Sequence, residues 1–394
     1  MSISALNAPI NILFILNSVD VGGAEMQTIT LMNGLDPQRF RLSLAYLKDE
    51  DDLLSKIDRD RINGSIFCCH VTSKIDWRAA RTLAATICKE SIDIVVCANT
   101  YPLLYGWLAR RLSGRALRIV EVFHTTELAT FKDWCQMGLY RPLLLMSDML
   151  VYVCENQRRY WRSRLLASRQ EVVIHNGIDT DHFANRYSEA EIVNFRTLYR
   201  FSSTDYVVGL CANMRPEKAH GDLLEAIAHL RNGGVRIKCL LIGDGPERSA
   251  IETKIGQMDL GTDVSITGLI ADVRPAIAAC DVIVIASHRV ETFSIAALES
   301  MALGKPMIMT NIGGASEQVV HADNGYLYER GNIAALTDSL LRLTDRSHCK
   351  QLGQNARLTV TEKFSLTAMI DAYERLFVGL MSSAVLAGDG KNVS

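Results

Sequence analysis

The sequence predicts two α/β domains in tandem, each built on a parallel, doubly wound sheet. Three observations carry this expectation. The chain has 394 residues, beyond the roughly 250–300 at which a single hydrophobic core stops growing. Short β-branched and apolar runs alternate with longer amphipathic stretches, the order that produces parallel sheets with helices on both faces. That alternation lapses over the polar segment 179–205 and restarts at residue 206.

In the first half, residues 10–16, 41–47, 92–98, 118–122, 149–154 and 171–174 are short runs rich in β-branched and apolar residues. Each predicts a strand buried on both faces. Residues 24–35, 77–89 and 103–112 carry apolar side chains at three- and four-residue spacings and predict helices. The segment 179–205 offers a helix at 189–199 but no strand, and the boundary is placed at residue 170. Strands follow at 206–212, 236–242, 264–267, 282–286 and 306–310, with helices at 221–230 and 294–302 between them. The last periodic segment, 366–381, sets Met369, Ile370, Tyr373, Leu376, Phe377 and Leu380 on one wide apolar face. The expected organisation is a first domain at 1–170, a second at 171–365 and a flexible tail at 382–394.

Hydrophobic residues at 48% and charged residues at 22% exclude a chain that is mostly disordered. A net charge of −2 lacks the field of a nucleic-acid coat protein, so no nucleic-acid partner is expected. The ten cysteines contain no C-x-x-C pair, which argues against zinc spacing or a disulfide framework. Cys97, Cys154, Cys211, Cys239 and Cys280 lie in or beside apolar runs and are expected as buried thiols. The N-terminus lacks a basic region and a cleavage site, and no run reaches the roughly 18 apolar residues of a membrane span. The expectation is a cytoplasmic protein that meets a membrane only at its surface. A basic and aromatic concentration, Trp107, Arg110, Arg111, Arg115 and Arg118, then Arg158 to Arg164 with Tyr160 and Trp161, and Arg169, suits an anionic inner leaflet or an acceptor's phosphate.

In doubly wound sheets the chemistry sits in loops that follow strands. After the first strand, Gly22-Gly23-Ala24-Glu25 opens a helix, where backbone N–H groups can approach an anion. It is neither a G-x-G-x-x-G fingerprint nor a P-loop. Strand 118–122 leads into His124, whose imidazole can donate to a hydroxyl or a phosphate. Asn213, Met214, Arg215, Pro216, Glu217 and Lys218 follow the first strand of the second half, and Arg with Lys in such a loop suits a diphosphate. Gly243-Asp244-Gly245 follows the next strand and lets backbone pass close to a flat ligand. After strand 282–286 a loop holds Glu291, Thr292 and Phe293, and a helix opening near Ser294 and Ile295 carries Glu299. Eight helical steps would separate the two carboxylates by about 12 Å along the axis. That exceeds the roughly 5–9.5 Å of an acid/base pair acting on one bond. Two contacts on one extended ligand, with helix amides near a phosphate between them, fit better. Asn311 to Gly314 adds another glycine-rich approach.

Together these residues resemble the retaining glycosyltransferase family 4, and the resemblance spans nearly the whole chain. Its most specific part is Glu291 and Glu299 in the frame of the family's E-x7-E. Asn176-Gly177-Ile178-Asp179, Pro216-Glu217-Lys218, Gly243-Asp244-Gly245-Pro246 and Gly313-Gly314 support it. The resemblance implies the GT-B fold, two Rossmann-like domains facing a cleft with the last helix packing back on the first. It implies transfer of a sugar from a UDP- or GDP-sugar to an acceptor hydroxyl with retention of anomeric configuration. By motif position Glu299 would hold the ribose, Glu291 and His124 the donor sugar, and Lys218 the diphosphate. Gly22, Gly23 and the amides near Phe293 and Ser294 would assist Lys218.

Where the family places Arg five residues before the lysine, this chain has Asn213, so Arg215 would serve from a shifted position. The family's usual glycines after the first glutamate and after the lysine are Thr292 and Ala219. Asp179-Thr180-Asp181 has the form of a metal-holding D-x-D but lies in an interdomain turn without further ligands. No obligatory metal or other cofactor is expected. The expected acceptor is a saccharide or lipid-linked glycan precursor. The alternative, motivated by Asn213, is a nucleotide-sugar-binding protein with weakened catalysis.

Overall fold

A computed structural model describes residues 8–20, 22–128, 130–166, 168, 170–184 and 186–388. They form two compact units, one running to Asn176 and resuming at Leu366, the other Gly177–Ser365.

The first unit runs β1 (Ile10–Leu16), α1 (Gly23–Gly34), β2 (Phe40–Tyr46), β3 (Ile66–Cys68), α2 (Trp77–Lys89), β4 (Ile94–Ala98), α3 (Thr100–Ser113), β5 (Arg118–Phe123), α4 (Phe131–Met146), β6 (Met149–Tyr152), α5 (Glu155–Arg162) and β7 (Glu171–Val173). All seven strands are parallel, in the order β3-β2-β1-β4-β5-β6-β7, so the winding reverses between β1 and β4. Such a reversal opens a crevice at the carboxyl ends of the strands. β1 and β4 are almost wholly buried, as continuous apolar runs require in a sheet covered on both faces.

The expected boundary at residue 170 is corrected. β7 pairs with β6 through Leu150↔Glu171 and Val151↔Val172, so the backbone hydrogen bonds of 171–173 are satisfied in the first sheet. The chain leaves that unit only after Asn176.

The second unit contains α6 (Glu189–Leu198), β8 (Val207–Cys211), α7 (His220–Asn232), β9 (Lys238–Ile242), α8 (Arg248–Gln257), β10 (Val264–Ile266), α9 (Arg274–Ala279), β11 (Val282–Ile285), α10 (Ile295–Ala302), β12 (Met307–Thr310), α11 (Ala315–Gln318), β13 (Gly325–Tyr328), α12 (Ile333–Leu343) and α13 (Arg346–Lys363). Its six parallel strands lie in the order β10-β9-β8-β11-β12-β13. The polar connector is tied to this unit by one buried arginine. Arg196 on α6 donates from Nε to the Ala279 carbonyl at 2.8 Å and from Nη2 to Asp281 at 3.1 Å. Its Nη1 reaches the carbonyls of Ser203 and Asp205.

The chain then returns to the first unit as α14 (Leu366–Gly388). The expected tail from residue 382 is therefore helical as far as 388, because the apolar run Ala384, Val385, Leu386 and Ala387 carries no helix breaker. Residues 389–394 lie outside the described residues. Phe377 is fully buried, edge-on to Phe40 with ring centroids 6.0 Å apart. Glu374 pairs with Arg39, and Gly34 leaves room for Ile370, whose Cδ1 would lie 2.1 Å from a Cβ placed there. We expect Phe377→Ala to cost the first unit about 3–5 kcal/mol, read as an earlier urea transition of near-ultraviolet signals from that unit. An unchanged transition would contradict this packing.

Candidate functional site

Parallel strands send all their outgoing loops to one sheet edge. In the second unit β9, β8, β11 and β12 are consecutive neighbours, so their loops lie side by side. After β8, Met214 is drawn inward, its N–H donating to the Asp244 carbonyl at 2.8 Å, while Asn213 and Arg215 are exposed. A short 3-10 helix, Pro216–Lys218, follows. It ends at Ala219 in the left-handed region, with φ of 49°. That conformation explains the glycine usual at this position of the family pattern, since a Cβ there costs roughly 1–2 kcal/mol.

The Lys218 Nζ lies 2.7 Å from Glu291 Oε2, and Ser287 Oγ donates to the same oxygen at 2.9 Å. Both charged side chains are largely buried. This contact joins the loop after β8 to the loop after β11. A second link runs parallel to it, from the His288 N–H to the Glu217 carbonyl at 2.8 Å, with His288 Nε2 2.6 Å from Asp222. Thr310 on β12 donates to the Ser287 carbonyl at 2.7 Å.

Glu291 is also held through its backbone. Gly313 has φ of 54°, and a Cβ on it would lie 1.7 Å from the Glu291 carbonyl oxygen. The next amide, Gly314, donates to the Thr292 carbonyl at 2.7 Å. On the other side Val290 has φ of 56°, a left-handed conformation in a β-branched residue. Strain of this kind costs on the order of 1–3 kcal/mol and persists where its surroundings over-determine it.

Ser294 caps α10, its Oγ accepting from the Ala297 N–H. Its own N–H donates to Gln318 Oε1 at 3.2 Å, and Gln318 Nε2 returns a bond to the Ser294 carbonyl at 2.8 Å. The Ser294 amide is thus engaged by Gln318, and the helix start presents the amides of Ile295 and Ala296 beside it. Phe293 is buried against Phe364, with ring centroids 5.2 Å apart. Glu299, one face along the same helix, has its carboxyl pushed up to about 7 by desolvation. Gly243 and Gly245 are required by close approach. A Cβ on Gly243 would meet the Ala212 carbonyl at 2.3 Å, and one on Gly245 would meet Asn213 Oδ1 at 2.4 Å. Asp179 accepts from the amides of Asp181 and His182 at 3.0 and 2.9 Å, so its carboxylate closes a turn.

In the first unit Gly22 is extended and caps α1. The Glu25 carboxylate folds over it, with Oε2 2.2 Å from where a Cβ would sit. Val21 lies outside the described residues. The His124 N–H donates to Asn99 Oδ1 at 3.1 Å. Burial holds the imidazole down to about 4, so it is neutral near pH 7.

Sequence reasoning missed Ser287 and Gln318. A polar residue directly after strand 282–286 was a usable signal for Ser287; nothing local marks Gln318, which is 24 positions from the helix cap it serves.

Two family patterns match this chain. "Glycosyltransferase Family 4" matches residues 21–182 and "Glycosyl transferases group 1" residues 194–359. The chain belongs to the group 1 glycosyltransferases of family 4. N-acetyl-alpha-D-glucosaminyl L-malate synthase of Bacillus anthracis is 26% identical to this glycosyltransferase, over 78% of this chain and 80% of the relative. A GDP-mannose-dependent phosphatidylinositol monomannoside mannosyltransferase of Mycobacterium tuberculosis is also 26% identical, over 74% and 76%. Anabaena HepE, crystallised with UDP, superposes with a TM-score of 0.83 at 19% identity, over 94% of this chain and all of that one. That likeness places the glycosyltransferase in the GT-B fold.

Because the Glu291 loop rests on a glycine with no room for a methyl group, Gly313→Ala should displace the carboxylate. We expect transfer to fall on the order of a hundredfold while far-ultraviolet circular dichroism is retained. A variant at wild-type rate would remove Gly313 from the machinery.

Proposed function

We propose that this glycosyltransferase moves a sugar from a UDP- or GDP-sugar to a hydroxyl of a saccharide or lipid-linked glycan precursor, with the anomeric configuration retained. The observation that carries the reading is the Lys218–Glu291 contact at the junction of two adjacent loops, beside a helix start and a second carboxylate on the same helix. Names of relatives support the substrate class. One uses GDP-mannose, another from Escherichia coli is a UDP-Gal galactosyltransferase acting on a diphosphoundecaprenol-linked sugar, and a third from Staphylococcus aureus serves capsular polysaccharide biosynthesis.

In this reading the Glu299 carboxylate accepts from the ribose hydroxyls, and Glu291 accepts from the donor sugar. Lys218 and the amides at the start of α10 hold the departing diphosphate, so its charge needs no metal ion. Arg215, exposed after β8, adds a second cation from a position two residues beyond Asn213. Gly22, Gly23 and the neutral His124 keep the phosphate and sugar roles that the family pattern implies. The acceptor hydroxyl attacks from the leaving-group face and passes its proton to the departing phosphate.

A carboxyl that titrates near 7 when free must ionise to accept two ribose hydroxyls, so binding releases a proton. Nucleotide affinity should therefore rise from pH 6 to 8 and level off above, and Glu299→Gln should be flat and weak. Lys218→Ala should lower turnover far more than donor affinity. Calorimetry with UDP and GDP, together with donor-consumption assays, reads both. Nucleotide binding without turnover in the wild type would favour the binding-protein alternative, and wild-type rates in both variants would sink the site assignment.

We further propose that the enzyme works at the inner face of an anionic membrane. No helix among the described residues is long and apolar enough to cross one. The contact surface differs from the one read in the sequence. Trp161 is buried, donating to the Thr125 carbonyl at 2.8 Å, and Arg118 and Arg162 pair with Asp148 and Glu171. Arg169 lies outside the described residues. α4 instead exposes Phe131, Trp134, Leu139 and Met146, with Leu165 beside it. The Arg164 guanidinium lies 3.5 Å from the Tyr160 ring centroid, and Arg141 donates to the Leu165 carbonyl. Apolar side chains beside arginines suit an anionic headgroup layer. Paired Phe131→Ser and Leu139→Ser should weaken sedimentation with phosphatidylglycerol vesicles by at least about tenfold, given roughly 1.5–3 kcal/mol per buried side chain. Equal binding of wild type and variant would refute this surface.

A further inference from the structure

The carboxyl edge of the first sheet holds a second group of chemistry-bearing side chains, at the outer end where β2 and β3 pair. The register Tyr46↔Cys68 brings the end of β3 level with the end of β2. Asp49 follows the one strand, Cys68 closes the other, and His70 comes two residues later. His70 is in the left-handed region, with φ of 49°, which turns the chain back toward Cys68.

The three side chains converge on one point. Cys68 Sγ lies 3.2 Å from Asp49 Oδ1, and His70 Nδ1 contacts that same oxygen. One donor atom from each residue lies within 4.8 Å of the other two. Tetrahedral zinc bonds of about 2.0–2.3 Å would set neighbouring donor atoms roughly 3.3–3.8 Å apart. The separations in the cluster, all within 4.8 Å, bracket that range. The backbone N–H of His70 also points at Cys68 Sγ, at 3.3 Å. A bond of that kind orients the sulfur.

We propose that Asp49, Cys68 and His70 form a three-ligand site for a borderline divalent transition metal, with Zn²⁺ the ion its donors fit best. Thiolate and imidazole disfavour Mg²⁺ and Ca²⁺, which take oxygen ligands. On binding, a bond forms from Cys68 Sγ to the metal and the thiol proton passes to solvent, with no change in oxidation state. Three protein ligands leave the fourth position to water or to an oxygen of an incoming molecule. The ion would clamp the β2 exit to the β3 exit. The site depends on none of the donor-binding assignments, and a sequence scan for paired cysteines passes over it because its ligands come from one strand end and two loops.

The test is titration of the metal-stripped full chain with Co²⁺, which reports thiolate ligation by a near-ultraviolet charge-transfer band and tetrahedral geometry by its visible bands. The expected result is both sets of bands, saturating at one ion per chain and removed by Zn²⁺. Cys68→Ser should abolish the charge-transfer band with circular dichroism unchanged. His70→Ala and Asp49→Asn should weaken affinity by more than the roughly 10–100-fold cost of losing an outer ligand partner. A purely octahedral spectrum, or no binding at millimolar Co²⁺, would overturn the proposal. A band that survives both Cys68→Ser and His70→Ala would also overturn it, by assigning the ion to the exposed thiols Cys88 or Cys135.

Discussion

The second unit is organised around the need to keep one carboxylate in place beside one ammonium group. Glu291 and Lys218 come from loops on neighbouring strands, and each is withdrawn from water enough that losing the other would leave a poorly solvated charge. Everything near them restricts their freedom. Ser287 fills a second hydrogen bond on the carboxylate, Thr310 fixes Ser287, and the Gly313 backbone lies flush against the Glu291 carbonyl. Two residues without glycine's freedom, Ala219 and Val290, sit in left-handed conformations on either side of the contact. The hydrogen bonds across these loops hold those conformations in place.

Much of this fold was legible because parallel strands covered on both faces are predominantly apolar. The run at 10–16 matches β1, and the periodic stretch at 77–89 matches α2. β3 escaped notice because its three residues are only half-buried, and β13 because Gly-Tyr-Leu-Tyr reads as a turn followed by aromatics. The boundary error has a similar origin. Strand 171–174 looks the same whichever sheet it joins, and only its pairing with β6 decides the matter.

The site was legible in its composition and less so in its wiring. The motif residues Lys218, Glu291 and Glu299 stand out by type and spacing, yet the protein partners of a backbone amide leave no mark in a sequence. Gln318 could not be foreseen as the acceptor for the Ser294 amide. Charge counts in the arginine-rich region likewise do not reveal which arginines are already paired to Asp148 or Glu171. The exposed apolar side chains of α4 went unmarked since exposed apolar residues produce the same letters as buried ones.

The return of α14 to the first unit has a consequence for biosynthesis. Phe40 is made before the second unit, and Phe377, the ring it packs against, only after it. While the ribosome is still adding the second unit, the first sheet is complete in its strands yet has an apolar face waiting for a helix that does not exist. The second unit, contiguous in sequence, can close on its own as soon as it emerges. The unit synthesised first is therefore the last to be finished, and during that interval the face around Phe40 is where a chaperone, or a neighbouring chain, would find the protein.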